Sequence, residues 1–364
     1  MLPANNRTLF GEWSDLKRGG VVTWGVVTLL LSLFGNTIIL VASIRYKVIR
    51  HSKMTVTLIE HVAGSDLGLT LVGILPDVVT LFAFDWREVS WFCLARFAVH
   101  GAFVSTSTYL VCALNVCKLL SLKFPLRARL WSKRFATTLA TLIWVFSVVA
   151  SCTILGVGVM FNEMFFDYRT NMCMYKVTTP PMRLVGLLQT MLQWTIPDIV
   201  VVVSSIWIVV IAVRKARHSS RWRWQNVLTV LLIAAVFCVS YLPLSGMFTV
   251  FNFVLVKGRD TIETVNRANE TELMYVEYDI TGQPISGFAY SQLYLLLCML
   301  TYFNSVANIF IYTASMASFK NSMRRMVCSG KQLPPTASMS LNSMMSNDGS
   351  IIKRNSNLHC ASVK

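Results

Sequence analysis

Seven separate stretches of this chain are apolar for long enough to cross a bilayer, and that fact constrains its fold more than any other. They lie near Val21–Ser43, Thr55–Leu81, Phe92–Leu120, Phe135–Met160, Leu184–Val213, Val227–Val256 and Ser291–Ser315. A membrane-spanning helix needs roughly 20 predominantly apolar residues. Lipid offers no partner to exposed backbone amides, so each run is expected to be a helix with its hydrogen bonds closed internally. Composition agrees: 54% of the 364 residues are hydrophobic and 14% are charged, too little charge to solvate the surface of a soluble domain. The expected fold is therefore an all-α membrane protein, a bundle of seven transmembrane helices at residues 21–315.

The formal net charge of +16 sits between the apolar runs rather than in one stripe, which argues against nucleic acid as a partner and for contact with an anionic lipid bilayer. Arg45, Lys47, Arg50 and Lys53 follow the first run. Lys123, Arg127, Arg129, Lys133 and Arg134 follow the third, and Arg214, Lys215, Arg217, Arg221 and Arg223 follow the fifth. The alternate connections carry acids as well: Asp85 and Glu88, Glu163 and Asp167, then Asp260, Glu263, Glu270, Glu272, Glu277 and Asp279. The positive-inside rule then places the N-terminus outside and the C-terminus inside, as for a multi-pass plasma-membrane protein. Residues 1–20 lack the apolar core of a cleavable signal peptide, so the first run is expected to act as an uncleaved anchor. Two glycosylation sequons, at Asn6 and Asn269, both fall outside under this orientation. So do Cys93 and Cys173, which are expected to form a disulfide in that oxidising compartment. The remaining cysteines lie in apolar runs or in the polar tail, and no Cys/His spacing suggests zinc.

One or more residues in each run, in order, carry a likeness to a known family. Gly35-Asn36 stands in the first run, Ala63-Gly64-Ser65-Asp66-Leu67 in the second, Cys93 at the start of the third, and Pro125-Leu126 after it. Trp144 marks the fourth run, Pro197 the fifth, and Phe237 with Tyr241-Leu242-Pro243 the sixth. The seventh holds Asn304-Ser305-Val306-Ala307-Asn308-Ile309-Phe310-Ile311-Tyr312, and Phe319-Lys320 follows. From Val21 to Cys328 the chain thus resembles the rhodopsin-like (class A) G-protein-coupled receptors, as a divergent, orphan-like member.

The resemblance implies a short amphipathic eighth helix at 316–328 with a lipid-bearing cysteine at Cys328. A cytoplasmic tail at 329–364 would follow, disordered because it lacks apolar runs and serine-rich, with Ser356 behind Arg354 as a kinase site. It implies activation motifs at Cys117-Lys118-Leu119, Phe237, Tyr241, Pro243, Asn308 and Tyr312. It makes Asp66, with Ser107, Asn304, Ser305 and Asn308, an oxygen-rich pocket for a sodium ion; a hydrogen-bonded structural aspartate is the alternative. No other cofactor is expected. An aspartate at bilayer depth costs roughly 2.5–3.5 kcal/mol on insertion scales and points to function.

The same positions depart from the family where it meets its G protein. Cys117-Lys118-Leu119 stands in place of Asp-Arg-Tyr, so the carboxylate is gone and the planar guanidinium fork is replaced by a point charge. Ser205 replaces a tyrosine, Ile309 a proline and Tyr241 a tryptophan. Either a receptor coupling through re-tuned contacts to G protein or arrestin, or a silent or decoy receptor, fits this pattern. Asp198, directly after Pro197, has no counterpart in the pattern; it is either protonated or paired with a hydroxyl of the third or sixth run.

For the ligand, His100 stands where amine receptors carry an aspartate, and Tyr302 where opsins carry the retinal lysine. A pocket of His100, Phe103, Gln189, Gln193, Phe248, Tyr294 and Tyr302, with Tyr241 beneath it, would suit a peptide or a lipid; the glycosylated, charged outer loops favour a peptide. A transporter would show paired intramembrane charges and two similar halves. Asp66 and Asp198 have no obvious basic partner within the runs. No His-Glu-x-x-His occurs, and His100 is the histidine placed well inside a run, so enzymatic chemistry is not expected.

Overall fold

The computed structural model describes residues 15–45, 53–81, 90–162, 164–167, 172–175, 179–217, 225–249, 258–265, 271–278, 284–285 and 287–315. Seven helices among them are long and apolar enough to cross a membrane: Gly19–Ile44, Met54–Val79, Leu94–Lys123, Lys133–Met160, Pro180–Ala216, Val227–Met247 and Leu295–Tyr312. Each coincides with one of the seven apolar runs. The eighth helix, the tail, Asn6, Asn269, Cys328 and Ser356 lie outside the described residues.

Span one is α1 (Asp15–Arg45). Span two is α2 (Lys53–Leu69), which passes through a π-helical turn at Thr70–Ile74 into α3 (Leu75–Leu81). Span three is α4 (Ser90–Lys123), and the short α5 (Pro125–Arg129) follows it. Span four is α6 (Lys133–Met160), opened by Ser132, whose hydroxyl accepts from Phe135 N at 3.1 Å. It ends on Asn162, whose φ of 53° uses the left-handed conformation that asparagine tolerates. Strands β1 (Met164–Asp167) and β2 (Met172–Tyr175) then form an antiparallel hairpin with Phe166 opposite Cys173. Span five is α7 (Pro180–Gln189), a second π-helical turn at Thr190–Thr195, and α8 (Ile196–Arg217). Span six is α9 (Gln225–Thr249). Between spans six and seven, β3 (Gly258–Val265) pairs with β4 (Thr271–Tyr278), and β4 with β5 (Pro284–Ile285). Span seven comprises α10 (Gly287–Thr301) and α11 (Phe303–Ser315). The bundle end bearing these strands is the hairpin end; the opposite end, with Lys123, Lys133 and Lys215, is the basic end.

Span three is the centre of the bundle, packed on spans two, four and five. The core about it includes Leu58, Ile59, Leu110, Phe237, Tyr241 and Tyr312. Outside, span four turns Leu142, Val145 and Val149 outward at 55–61% exposure, an apolar face for which lipid is the suitable solvent.

Both π-helical turns precede a proline, and the physical cause is shared. Pro76 and Pro197 lack the N–H that would close the helix behind them, and each ring crowds the carbonyl four residues back. Side chains of span three fill the deficit. Arg96 Nε donates to the Val72 carbonyl at 3.1 Å, and Tyr109 Oη donates to the Leu192 carbonyl at 2.5 Å.

Span seven is interrupted at Tyr302, with no proline or charged residue nearby in the sequence. With Ile309 in the proline position, the irregularity falls one to two turns earlier. The Thr301 hydroxyl donates to Cys298 O at 2.7 Å, and Ser305 N turns back to Tyr302 O at 3.2 Å. The Met299 carbonyl instead receives Trp24 Nε1 of span one at 3.2 Å. Ile309 meanwhile lies over Gly35, where an added Cβ would sit 3.1 Å from Ile309 Cδ1.

Candidate functional site: a polar seam through the bundle

Four residues of α4, Arg96, His100, Phe103 and Ser107, recur at helical spacing and form one stripe facing span two. Two glycines of span two make room for its aromatic members. A Cβ on Gly68 would collide with the Phe103 ring, and one on Gly73 would lie 2.7 Å from His100 Cδ2. Absent side chains on span two are thus what lets the two helices close around this stripe.

At the inner end of the stripe lies Asp66, fully buried. Ser107 Oγ donates to Oδ1 at 2.7 Å and Asn308 Nδ2 donates to Oδ2 at 2.9 Å, so spans two, three and seven meet on one carboxylate. Asn304 and Ser305 of span seven are buried close by. A second line of bonds reaches span one. Thr70 Oγ1 donates to Asp66 O at 2.6 Å and lies 2.6 Å from Ser32 Oγ, while Asn36 Nδ2 donates to Ser305 O at 3.2 Å.

At the hairpin end of the stripe is a cluster that the sequence reading missed. Asp77, 2% exposed, forms an ion pair with Arg96, 13% exposed. Its other oxygen accepts from Tyr302 Oη of span seven at 2.5 Å. Tyr302 Oη is also 3.3 Å from His100 Nε2, and the two rings meet edge-on. Arg96 further donates to Gly73 O at 3.4 Å, beside its bond to Val72 O. A charge pair inside the spans is therefore present, although Asp66 and Asp198 do lack a basic partner among the described residues. The signal was in the sequence: one acid and one base, each a few residues inside an apolar run, and the base one turn before His100. His61, with Glu60, also lies within α2, half-buried, so His100 is not alone in a span.

The other expected ligand-pocket residues separate. Gln189 Nε2 donates to Gln193 Oε1 at 3.0 Å along span five. Phe103 packs edge-on against Trp144 at 5.5 Å, between spans two and four. Tyr241 meets Phe237 at 4.8 Å and Trp194 at 5.5 Å with tilted rings, joining spans five and six. The side chains of Phe248, Tyr294, Cys93 and Cys173 are outside the described residues, although β2, which holds Cys173, packs against α4, which holds Cys93. Asp198, 3% exposed, faces Ser245 of span six, one of the two hydroxyl sources expected for it.

At the basic end Cys117 is buried and Lys118 half-buried beside it. Spans three and five are tied there by Asn115 Nδ2 to Ser205 Oγ at 3.4 Å, and by Lys215 Nζ to the Leu122 carbonyl at 2.5 Å. Ser205, in place of a tyrosine, thus makes a short link to span three itself.

Compared with characterised proteins, the chain is 25% identical over 344 residues to somatostatin receptor type 5 of the rat, Rattus norvegicus, across 89% of this chain and 82% of that receptor. It is 24% identical over 308 residues to somatostatin receptor type 5 of cattle, Bos taurus, across 82% and 73%. No family profile matches the chain. The seven apolar helices among the described residues are those of a multi-pass membrane protein, and both of these distantly similar proteins are receptors.

Proposed function

We propose that this chain is a rhodopsin-like receptor of the plasma membrane that takes an extracellular ligand, a peptide ahead of other classes, at its hairpin end and signals at its basic end. The observation that carries this reading is Asp66, a fully buried carboxylate on which spans two, three and seven converge through Ser107 and Asn308. A charged group shared by three spans costs energy that packing alone does not return, and it gives a ligand at one end a rigid means of acting on the other. The similarity to somatostatin receptors supports a peptide ligand and coupling to a heterotrimeric G protein; arrestin engagement, by a phosphorylated tail, belongs to the same proposal.

The residues around Asp66 fit a sodium ion. The carboxylate and the Ser107 and Ser305 hydroxyls are hard oxygen donors, all of them buried. Bound there, the ion would supply the positive charge that the carboxylate lacks.

Signalling requires the ligand to favour one of two arrangements of the bundle. In the resting arrangement of the family, the acid missing at Cys117 restrains the cation at the next position; here Asn115–Ser205 and Lys215–Leu122 O tie the same helix ends. A receptor locked by these links, silent toward G proteins, is the second reading they favour. Screening peptides on cells that express the chain, with G-protein turnover and arrestin recruitment both recorded, separates the two. Cys117→Asp with Lys118→Arg should raise agonist-driven G-protein turnover and lower basal turnover at matched surface expression, because the acid stabilises the resting form alone. Equal basal and stimulated signalling in wild type and variant would place coupling in other contacts, and no response to any peptide in either readout would favour the silent receptor.

A further inference from the structure

We propose that the hairpin end of the bundle holds a carboxylate-exchange subsite, in which Arg96 takes the carboxylate of an incoming ligand in place of Asp77. The inference rests on the receptor reading and names the chemistry of its ligand. Two features of the cluster decide the sign of the charge.

The first is how each partner is held. Arg96 is anchored to span two independently of Asp77, through Nε to Val72 O and through Nη2 to Gly73 O. The Val72 carbonyl is one that Pro76 leaves without its helical donor. A cationic ligand competing for Asp77 must evict Arg96 and strand these carbonyls inside the bundle. A ligand carboxylate competing for Arg96 leaves the guanidinium seated. It replaces one carboxylate on the planar fork with another, so no buried charge on Arg96 is left without a counter-ion at any stage. The displaced Asp77 gives up its counter-ion, and the Tyr302 hydroxyl kept on its other oxygen, or uptake of a proton by the carboxyl, offsets that cost.

The second feature is access. Arg96 is the more exposed partner, at 13% against 2% for Asp77. It stands near the start of α4 at the hairpin end, and His100 and Tyr302 lie beneath it. A carboxylate arriving from that end meets the guanidinium first. Exchange also loosens a bond that joins spans two and three, and it frees one side of the Asp77–Tyr302 contact with span seven. Occupancy is therefore coupled to the seam that continues to Asp66.

The carboxylate could be the free C-terminus of a peptide or an acidic side chain. The test uses full-length protein in lipid nanodiscs. The probes are N-acetyl-phenylalanine, which carries a terminal carboxylate, N-acetyl-aspartate α-amide, which carries a side-chain carboxylate, and N-acetyl-phenylalanine amide, which carries none. Thermal stability and calorimetric binding are read for wild type, Arg96→Gln, Arg96→Lys and Asp77→Asn. At least one acid should bind wild type where the amide does not, and the stronger acid identifies the source. Removing the competing carboxylate in Asp77→Asn should tighten that acid by about tenfold, because the competent form of Arg96 is then always available. Arg96→Lys should weaken it by about tenfold through loss of the fork. Arg96→Gln should abolish it, and if that variant does not fold, the opposite shifts of the other two decide the matter. Binding of acid and amide alike, or weaker acid binding in Asp77→Asn, overturns the subsite. Signalling is recorded separately in cells. Acid binding that depends on Arg96 with no signalling output would leave the subsite standing and count against the receptor reading, whereas peptide-driven signalling without acid selectivity would do the reverse.

Discussion

Individual side chains here act mostly by supplying what a neighbour's backbone or charge lacks. Asp66 is the clearest example, because two uncharged donors, Ser107 and Asn308, hold it while no cation approaches it among the described residues. If sodium completes this site, adding sodium chloride in place of choline chloride should stabilise the purified protein by on the order of 1 kcal/mol at concentrations several-fold above the dissociation constant. Asp66→Asn should remove that increment, since the amide keeps the hydrogen bonds but not the charge. A thermal melt read in both salts checks it: an equal sodium response in the two proteins means that the aspartate is structural only. Gly68 and Gly73 show the converse dependence. Their missing side chains are occupied by Phe103 and His100, so their role is visible only once span three is in place.

At the scale of the helix, proline sets the geometry and a distant residue compensates. Span two bends through a π-helical turn before Pro76, and Arg96 of span three donates to the carbonyl that the turn exposes. Loss of a charged donor to buried acceptors costs about 1–3 kcal/mol. Arg96→Leu should therefore destabilise the protein by that order, and part of the loss should vanish in a Pro76→Ala background, where the backbone regains an N–H. The double-mutant cycle, measured by thermal or denaturant unfolding in nanodiscs, should return a coupling energy of about 0.5 kcal/mol or more. Strict additivity would mean that Arg96 stabilises only through Asp77. Span seven is interrupted at Tyr302 without a proline, and there too a distant residue bonds the helix backbone: Trp24 Nε1 of span one donates to Met299 O.

For the whole molecule, the orientation in the membrane is the property on which the proposed ligand and effector sides depend. By the positive-inside rule the loop charges are expected to put the strand-bearing loops outside, the side on which both sequons would then lie. Glycosidase treatment of protein expressed in mammalian cells should increase its gel mobility. Asn6→Gln with Asn269→Gln should mimic the treated mobility and leave nothing for the enzyme to remove. A wild-type protein that reaches the cell surface but shows no glycan at either position would withdraw this support for the orientation.

The sequence alone determined the membrane class, the number of spans and the approximate position of each. Apolar length is a local property, and a chain in lipid must satisfy its backbone locally, so composition along the chain is sufficient. It also singled out Asp66, because an acid in an apolar run is conspicuous by itself, while the hydroxyl and amide neighbours came from the family resemblance. What the tertiary structure decided are relations between spans. The Asp77–Arg96 pair looks in sequence like two stray charges near run ends, and only the packing of α4 against span two brings them together. The pairing of Pro76 with Arg96, of Gly68 with Phe103, and of Gly35 with Ile309 depends in the same way on helices in contact but distant in sequence. Helical periodicity gives the face of each span, but not which face of another span it meets; that is settled by side-chain volume, vacant glycine surfaces and unsatisfied carbonyls acting together across the bundle.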